Sequence, residues 1–462
     1  MQDAATVRCC ARGGSTCTLA LRSLAHHYSE AGDKERAAAY WYQAGLQANA
    51  RFATREAVAH FTKGIGLLAS LPEGDTRDKR ELEFQLAFAV PLIALHGFGS
   101  EQVEACATRA RELIDKGADD RTRFLAYRFV WNSSLMRRPV PQAIALARTL
   151  MDLAQGGNDA AQLAIAHRAL GFSIQIAGRL AKADKLLSNG IALSDGVPDG
   201  QFTAYGEHPG MVCRAYRAQT CCLMGFPDHA ARLTEAAVEH ARSRNSPFSL
   251  AWSLIVAAQT HIFRREAALA ERAAREAIAV SQEHRLPQWM AFARNSLGRA
   301  HCYRGEPSEG VALQEEGMRS LHGIGSVFQT VLFRLQLAES LFELGELDRA
   351  ESHLDSAFAH LKAHGEMWLA PEVHRVRLML LRAQAAPDEV LRHPIGIGLD
   401  LARSQGARLL EIRFAACVAR LWRDRGEKDR ARAILDPVYG WFTEGFDTAD
   451  LKEAKALLDE LR

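Results

Sequence analysis

Apolar side chains return every third or fourth position along most of this chain, and the rhythm is plainest in residues 333–361. Leu337, Ala338 and Leu341 mark one face of a first helix, and Leu347, Ala350, Leu354, Ala357 and Leu361 mark one face of a second. Gly345 stands between them, able to take the left-handed conformation that ends a helix without a Cβ penalty. Small residues at Ala338 and Ala350 let the paired helices approach closely, and the leucines fill the space between them. A hairpin of this kind cannot bury both of its apolar faces alone. It predicts copies of itself on either side.

The copies are present. A first hairpin spans residues 21–48 and turns at Gly32, with Leu24, Ala25 and Tyr28 before the turn and Ala37, Trp41 and Ala44 after it. Helical patterns follow at 54–71, which Pro72 ends, and at 80–95, where Pro91 predicts a kink or a stop. Ser100 is placed to cap a helix that ends at Lys116 and Gly117. From there the turns fall near Gly99, Arg138–Pro139, Gly178, Gly225, Arg265, Gly305, Gly345, Pro387 and Gly426. A step of about 40 residues is the mark of a solenoid. It overrides the estimate of roughly three globular domains that length alone would suggest. The expected fold is all-α: residues 19–462 as one helical-hairpin solenoid wound as a right-handed superhelix, interrupted at 195–212 and closed by a capping helix at 448–461.

Composition narrows the class without naming a chemistry. Of the 462 residues, 48% are hydrophobic and 24% charged, and the net charge is only +2. A pI of about 8.1 falls short of that of a dedicated nucleic-acid-binding domain. Arginine greatly outnumbers lysine, and its interleaving with acids reads as solvated helix faces. There is no apolar run long enough to span a membrane and no secretory signal. Nine cysteines with no CxxC spacing fit reduced thiols, so the expected location is the cytoplasm. Residues 1–18 lack helical periodicity and contain Cys9, Cys10 and Cys17, and they read as a disordered leader or a truncation remnant.

The repeat resembles the tetratricopeptide repeat (TPR), a two-helix unit of 34 residues, lengthened here by about six. The phrases LAHHYSEAGDKERAAAYWYQAG (24–45), AVAHFTKGIGLL (57–68), YGEHPGMVC (205–213) and VYGWFTEGFDTADLKEAKALLDEL (438–461) resemble a particular group. They look like the C-terminal region of bacterial proteins that fuse a class III adenylate/guanylate cyclase, an AAA-type ATPase and a TPR array. The resemblance implies a TPR-like solenoid acting as a regulatory or sensor arm, with catalytic domains upstream. The sequence agrees with that division of labour: no G-x-x-x-x-G-K-[ST] occurs, and Gly396-Ile397-Gly398 lacks the lysine.

Candidate chemistry is sparse. The interruption at 195–212 concentrates glycines with Tyr205, Glu207 and His208, and a break in a solenoid's rhythm is a place for ligand contact. Tyr205, Glu207 and His208 are therefore the candidate ligand-binding residues. His353, His360 and His364 share nearly one helix face, but they read as exposed residues favoured by a helix C-terminus rather than as zinc ligands. Cys221 and Cys222 sit where hairpin packing needs small residues, and the seven tryptophans read mostly as core fillers. No catalytic residue, metal or cofactor is expected.

At the C-terminal end, Asp447 is placed as an N-cap, with Phe446 and Leu451 as a hydrophobic staple. The closing helix has a polar face of Asp450, Lys452, Glu453, Lys455, Asp459 and Glu460, as a terminal cap requires. The edge before Leu21 has no such cap, so the isolated chain is expected to self-associate. The expected function is a non-enzymatic scaffold or sensor holding a protein, a peptide or a small regulatory ligand in its groove, with no nucleic-acid or membrane partner. The alternatives are a fragment related to the cyclase or ATPase, and an ATPase-linked transcriptional regulator.

Overall fold

The computed structural model describes residues 15–462 apart from 52, 115, 117, 158, 206 and 245, with side chains described from residue 20 and not for 203–205. Of the leader expected at 1–18, residues 1–14 and the side chain of Cys17 lie outside the described residues, and 15–18 are a correction: they already belong to the first helix, which begins at Ser15. The described residues form 22 α-helices and one 3-10 segment, with no strand among them. They fall into two compact units: residues 1–136 with 324–326, and the remainder.

The first unit holds α1 (Ser15–Glu30), α2 (Lys34–Ala50), α3 (Thr54–Ala69), α4 (Asp75–His96), α5 (Glu101–Ile114) and most of α6 (Asp120–Arg137). Its core joins Ala38, Ala48, Ala57, Phe61, Leu68 and Phe84. Gly64 makes this packing possible, since a Cβ there would stand 2.2 Å from the Phe84 ring. Pro91 neither stops nor shortens its helix: α4 continues to His96. The residues after Pro91, including buried Leu92, continue the apolar face, and packing outweighs the lost hydrogen bond.

The second unit is a run of hairpins. Its helices are α7 (Val140–Gly157), α8 (Ala160–Ile176), α9 (Leu180–Asp195), α10 (Pro209–Leu223), α11 (Pro227–Ser243), α12 (Pro247–Phe263), α13 (Ala267–Glu283) and α14 (Pro287–Tyr303). They continue as α15 (Pro307–Gly323), α16 (Thr330–Glu343), α17 (Leu347–His364), α18 (Ala370–Ala383), α19 (Asp388–Gln405), α20 (Arg408–Arg423), α21 (Lys428–Tyr439) and α22 (Ala449–Glu460). Five of them open on proline, whose fixed φ and missing N–H suit the first helical position. The backbones of α14 and α15 approach closely, since a Cβ on Gly298 would meet the Gly310 carbonyl oxygen at 2.4 Å.

The hairpin turns use positive φ, as at Gly345 (φ 85). The same position is filled by Arg265 (φ 58), and the turn assigned to Pro387 has its positive φ at Ala385. A left-handed arginine costs roughly 1–2 kcal/mol relative to glycine. Its side chain explains its presence, as described below.

The segments leading into α16 and α18 turn inward. Phe328 packs edge-on against Phe172 and tilted against Phe292, at 5.8 and 5.9 Å. Gln329 joins a row of buried amides, Gln175–Gln219–Gln259–Gln329, bonded at 3.3, 2.8 and 3.0 Å. Trp368 donates its backbone N–H to the Ile176 carbonyl at 3.1 Å and packs on Phe263. The chain thus returns onto the inner faces of its own helices α8 and α12. What stays open in this unit lies towards α14–α22.

At the chain's end the structure corrects three expectations. The N-cap position of α22 is Thr448, which bonds Gly445, not Asp447. Phe446 is exposed and meets Tyr439, so it does not staple Leu451. Asp450 is a third correction: it is buried, not part of a polar outer face.

A charge-alternating cavity in the second unit

The open space is a cavity of about 550 Å³ within the second unit. Its polar wall is a single chain of ion pairs in which acids and arginines alternate. Glu343 pairs with Arg299 at 3.0 Å, Arg299 with Glu339 at 3.5 Å, and Glu339 with Arg375. Arg375 pairs with Glu372 at 2.9 Å, and Glu372 faces Arg413 at 3.6 Å. Arg413 holds Asp450 at 2.8 Å and also donates to the Phe263 carbonyl. Asp450 meets Arg265 at 3.4 Å, Arg265 meets Glu453 at 2.6 Å, and Glu453 meets Arg420 at 3.0 Å. Arg382, also on the wall, pairs outward with Asp424. Phe342, Met379, Ile412, Ala416 and Cys417 supply an apolar wall.

Each link has a cause in the repeat. Arg299 and Glu339 occupy the register of Gln219 and Gln259, two periods further on, so the inward position that carries amides in α10 and α12 carries charges in α14 and α16. The strained backbone at Arg265 aims a guanidinium at Asp450 and Glu453 where the turns at Gly225, Gly305 and Gly345 carry glycine. The arginines of this wall are half-buried or buried, so the reading of arginines as solvated faces fails here. Helix periodicity places a side chain on a face, but it does not say which face a later turn of the chain will cover.

Burial shifts these groups only against their partners. Desolvation alone would raise the Asp450 carboxyl, and Arg413 and Arg265 outweigh it and hold it below the usual range. Glu339 is lowered in the same way, against its own desolvation, by Arg299 and Arg375. Arg265, Arg299, Arg375 and Arg413 each serve two acids, and Arg420 and Arg382 end the array on one acid each, so the charges on the wall are neutralised by their neighbours. Burial pushes the Cys417 thiol up, and it pushes the Tyr303 phenol up as well. Neither is poised as a nucleophile.

The residues expected to bind ligand lie elsewhere. Tyr205 ends the 3-10 segment Asp199–Tyr205, and its side chain is outside the described residues. Glu207 is buried and accepts from Arg168 at 3.1 Å, and Arg168 in turn lies 4.9 Å from the centre of the Trp252 ring. His208 is the N-cap of α10: its Nδ1 accepts from the Met211 N–H at 3.4 Å, and its Nε2 faces Asp199 at 3.3 Å. The structure brings Glu207 and His208 into the packed interior, and neither lines the cavity.

Burial, reinforced by His240 and Arg244, lowers the His208 pKa to about 4; burial likewise takes His374, near His393 and Arg377, to about 4. Folded, they stay neutral while the unfolded chain takes up protons near pH 6.5, so the unfolded state binds more protons as pH falls. Stability is therefore whole above about pH 6.5 and falls by roughly 1 kcal/mol per pH unit for each histidine towards pH 4. Urea midpoints at pH 7, 6 and 5 read this directly. His208→Asn, which keeps a capping acceptor, is expected to flatten the slope.

The other candidates resolve as packing. His360 and His364 are half-buried rather than exposed, stacked at 4.1 Å, with His360 paired to Glu366 at 3.2 Å. Cys221 and Cys222 are buried, and burial raises Cys222 to about 12. Trp41, Trp131, Trp252, Trp289 and Trp368 are buried, whereas Trp441 is exposed. Among the described residues, His301, Glu306 and Glu309 bring three potential metal-ligand atoms within 4.8 Å of one another. The His301–Glu306 pair at 2.8 Å recurs as His261–Glu266 at 2.7 Å one repeat earlier, which marks it as a feature of the turn.

No family model and no curated protein matches this sequence. Solved structures do. A Rap protein complexed with Competence and Sporulation Factor is 14% identical, with a TM-score of 0.57, covering 80% of this chain and 98% of that one. The Rap conjugation gene regulator of plasmid pLS20, in complex with the Phr* peptide, is 10% identical at a TM-score of 0.49, covering 82% and 95%. A signal transduction ATPase with a tetratricopeptide repeat sensor from Pyrococcus horikoshii is 13% identical at 0.39, covering 87% and 54%. The fold is TPR-like. Among the described residues no helix is long and apolar enough to cross a membrane.

Proposed function

We propose that this chain is a non-enzymatic, TPR-type sensor that takes a peptide or a segment of a partner protein into the cavity of its second unit. The observation that carries this reading is the alternating ion-pair wall. A site built for acid–base or nucleophilic chemistry keeps a group poised to exchange a proton or attack. Here each carboxylate is held by arginine, and the thiol and phenol are pushed away from reactivity. A mixed wall of charges and apolar side chains suits an extended peptide, which brings both polar backbone and side chains. The Rap protein with the same fold is complexed with Competence and Sporulation Factor, which supports the same use of the scaffold.

The setting is the cytoplasm, and the chain serves as the regulatory arm of a signalling ATPase or cyclase, the role implied by the phrases at 24–45, 57–68, 205–213 and 438–461. Tyr205, Glu207 and His208 enter as a second, conditional contact: a ligand reaches Glu207 or His208 only by displacing Arg168 or Asp199. The purified chain is expected to retain peptides from a random hexapeptide pool and to leave ATP and GTP unhydrolysed and uncyclised. Nucleotide turnover that scales with protein concentration would overturn the reading in favour of a cyclase or ATPase fragment.

A further inference from the structure

Within the cavity the ion-pair wall is balanced in charge but not in hydrogen bonds. Glu372 is 5% exposed, and its Oε1 takes both Arg375 and Arg413. Its Oε2 is buried without a partner, and so are the Nε atoms of Arg299 and Arg375, all three residues lining the cavity. Glu372 Oε2 is the one buried carboxylate oxygen in this condition among the described residues. A buried acceptor and buried donors left unmade are costly, so the wall is incomplete without an occupant that offers a donor and an acceptor together.

Resting on the peptide-binding reading above, we infer that the occupant presents an uncharged amide here. Its N–H donates to Glu372 Oε2, and its carbonyl accepts from the Nε–H of Arg375 or Arg299. The charge balance selects the amide over the alternatives. Five acids (Glu339, Glu343, Glu372, Asp450, Glu453) already face five arginines (Arg265, Arg299, Arg375, Arg413, Arg420), and the sixth arginine of the lining, Arg382, is neutralised outside it by Asp424. An ammonium at Glu372 would add a positive charge to a balanced, partly desolvated wall, and a carboxylate would meet the free oxygen of Glu372. An amide supplies both functions with no net charge. The peptide is therefore held by its backbone, or by an asparagine or glutamine carboxamide, and not by a charged terminus.

Two random hexapeptide libraries test this, one with free ends and one N-acetylated and C-amidated, each passed over the immobilised full chain. The wild type is expected to retain the capped library at least as well as the free one. Glu372→Gln turns a donor towards the ligand's donor, because its own carbonyl must face Arg375 and Arg413, and should cut retention of the capped library about tenfold. Glu283→Gln, at an exposed acid that does not line the cavity, should leave retention near wild type. Should Glu372→Gln fail to melt cooperatively, Glu372→Asp replaces it, keeping the charge while withdrawing the oxygen, with the same loss expected. Retention that acetylation abolishes overturns the amide and leaves peptide binding standing. So does a capped library held equally by wild type and the Glu372 variant. Failure of the wild type to retain either library overturns both.

Discussion

Arg413→Ala is expected to destabilise the second unit by roughly 3–5 kcal/mol, the cost of breaking a buried pair from one side. Arg413 donates to Asp450 at 3.0 and 2.8 Å and also to the Phe263 carbonyl, and it faces Glu372. Alanine removes all of these at once. Asp450 is left with Arg265 at 3.4 Å, and its depressed pKa should rise towards or above the ordinary value. The urea midpoint of the second unit reads the loss. A partial recovery is expected in the Arg413→Ala, Asp450→Asn double variant, because the stranded charge is then gone. A single variant within 1 kcal/mol of wild type would show that the wall is not continuous through Arg413.

Glu207→Ala is the second large effect, again roughly 3 kcal/mol or more. The Arg168–Glu207 pair joins helix α8 to the start of α10 across the interruption, with both side chains almost fully enclosed. Alanine leaves the Arg168 guanidinium against Trp252 with its acid removed. Glu207→Gln, which keeps the shape and one acceptor, should lose less. The pair of variants also separates support from recognition. A Glu207→Gln protein that melts near wild type and still retains hexapeptides makes the interruption a brace. One that folds but loses retention puts Glu207 in the ligand's path.

The hairpins were legible because their information is local. Gly178, Gly225, Gly305, Gly345 and Gly426 all take positive φ, as a turn glycine at each repeat predicts. Leu337, Leu341, Leu354 and Leu361 are buried, as their spacing predicts. The candidate site was not legible. Arg299, Glu339, Arg375 and Arg413 stand at ordinary helical positions among many similar charges. One signal was available: the inward register that reads Gln175, Gln219, Gln259, Arg299, Glu339 down the repeats, polar where a core position would be apolar. Tyr205, Glu207 and His208 drew attention through glycine-rich irregularity. Irregular sequence signals a departure from the repeat, and that departure proved to include a buried ion pair and a helix cap.

The segment 333–361 shows the division most clearly. Its leucines and alanines, with Gly345, determine two helices, their turn and the faces that pack, since i, i+3 and i+4 spacing acts within one turn of helix. The same segment contains Glu339 and Glu343, which the pattern leaves on a polar face like any other. Their partners Arg299 and Arg375 are about one repeat away in opposite directions, and Asp450 and Arg265 close the chain between residues far apart in sequence. Only the tertiary structure decides that these charges share one wall, because pairing across that separation depends on how successive hairpins stack and return. Local sequence made the helices, and the return of the chain made the cavity.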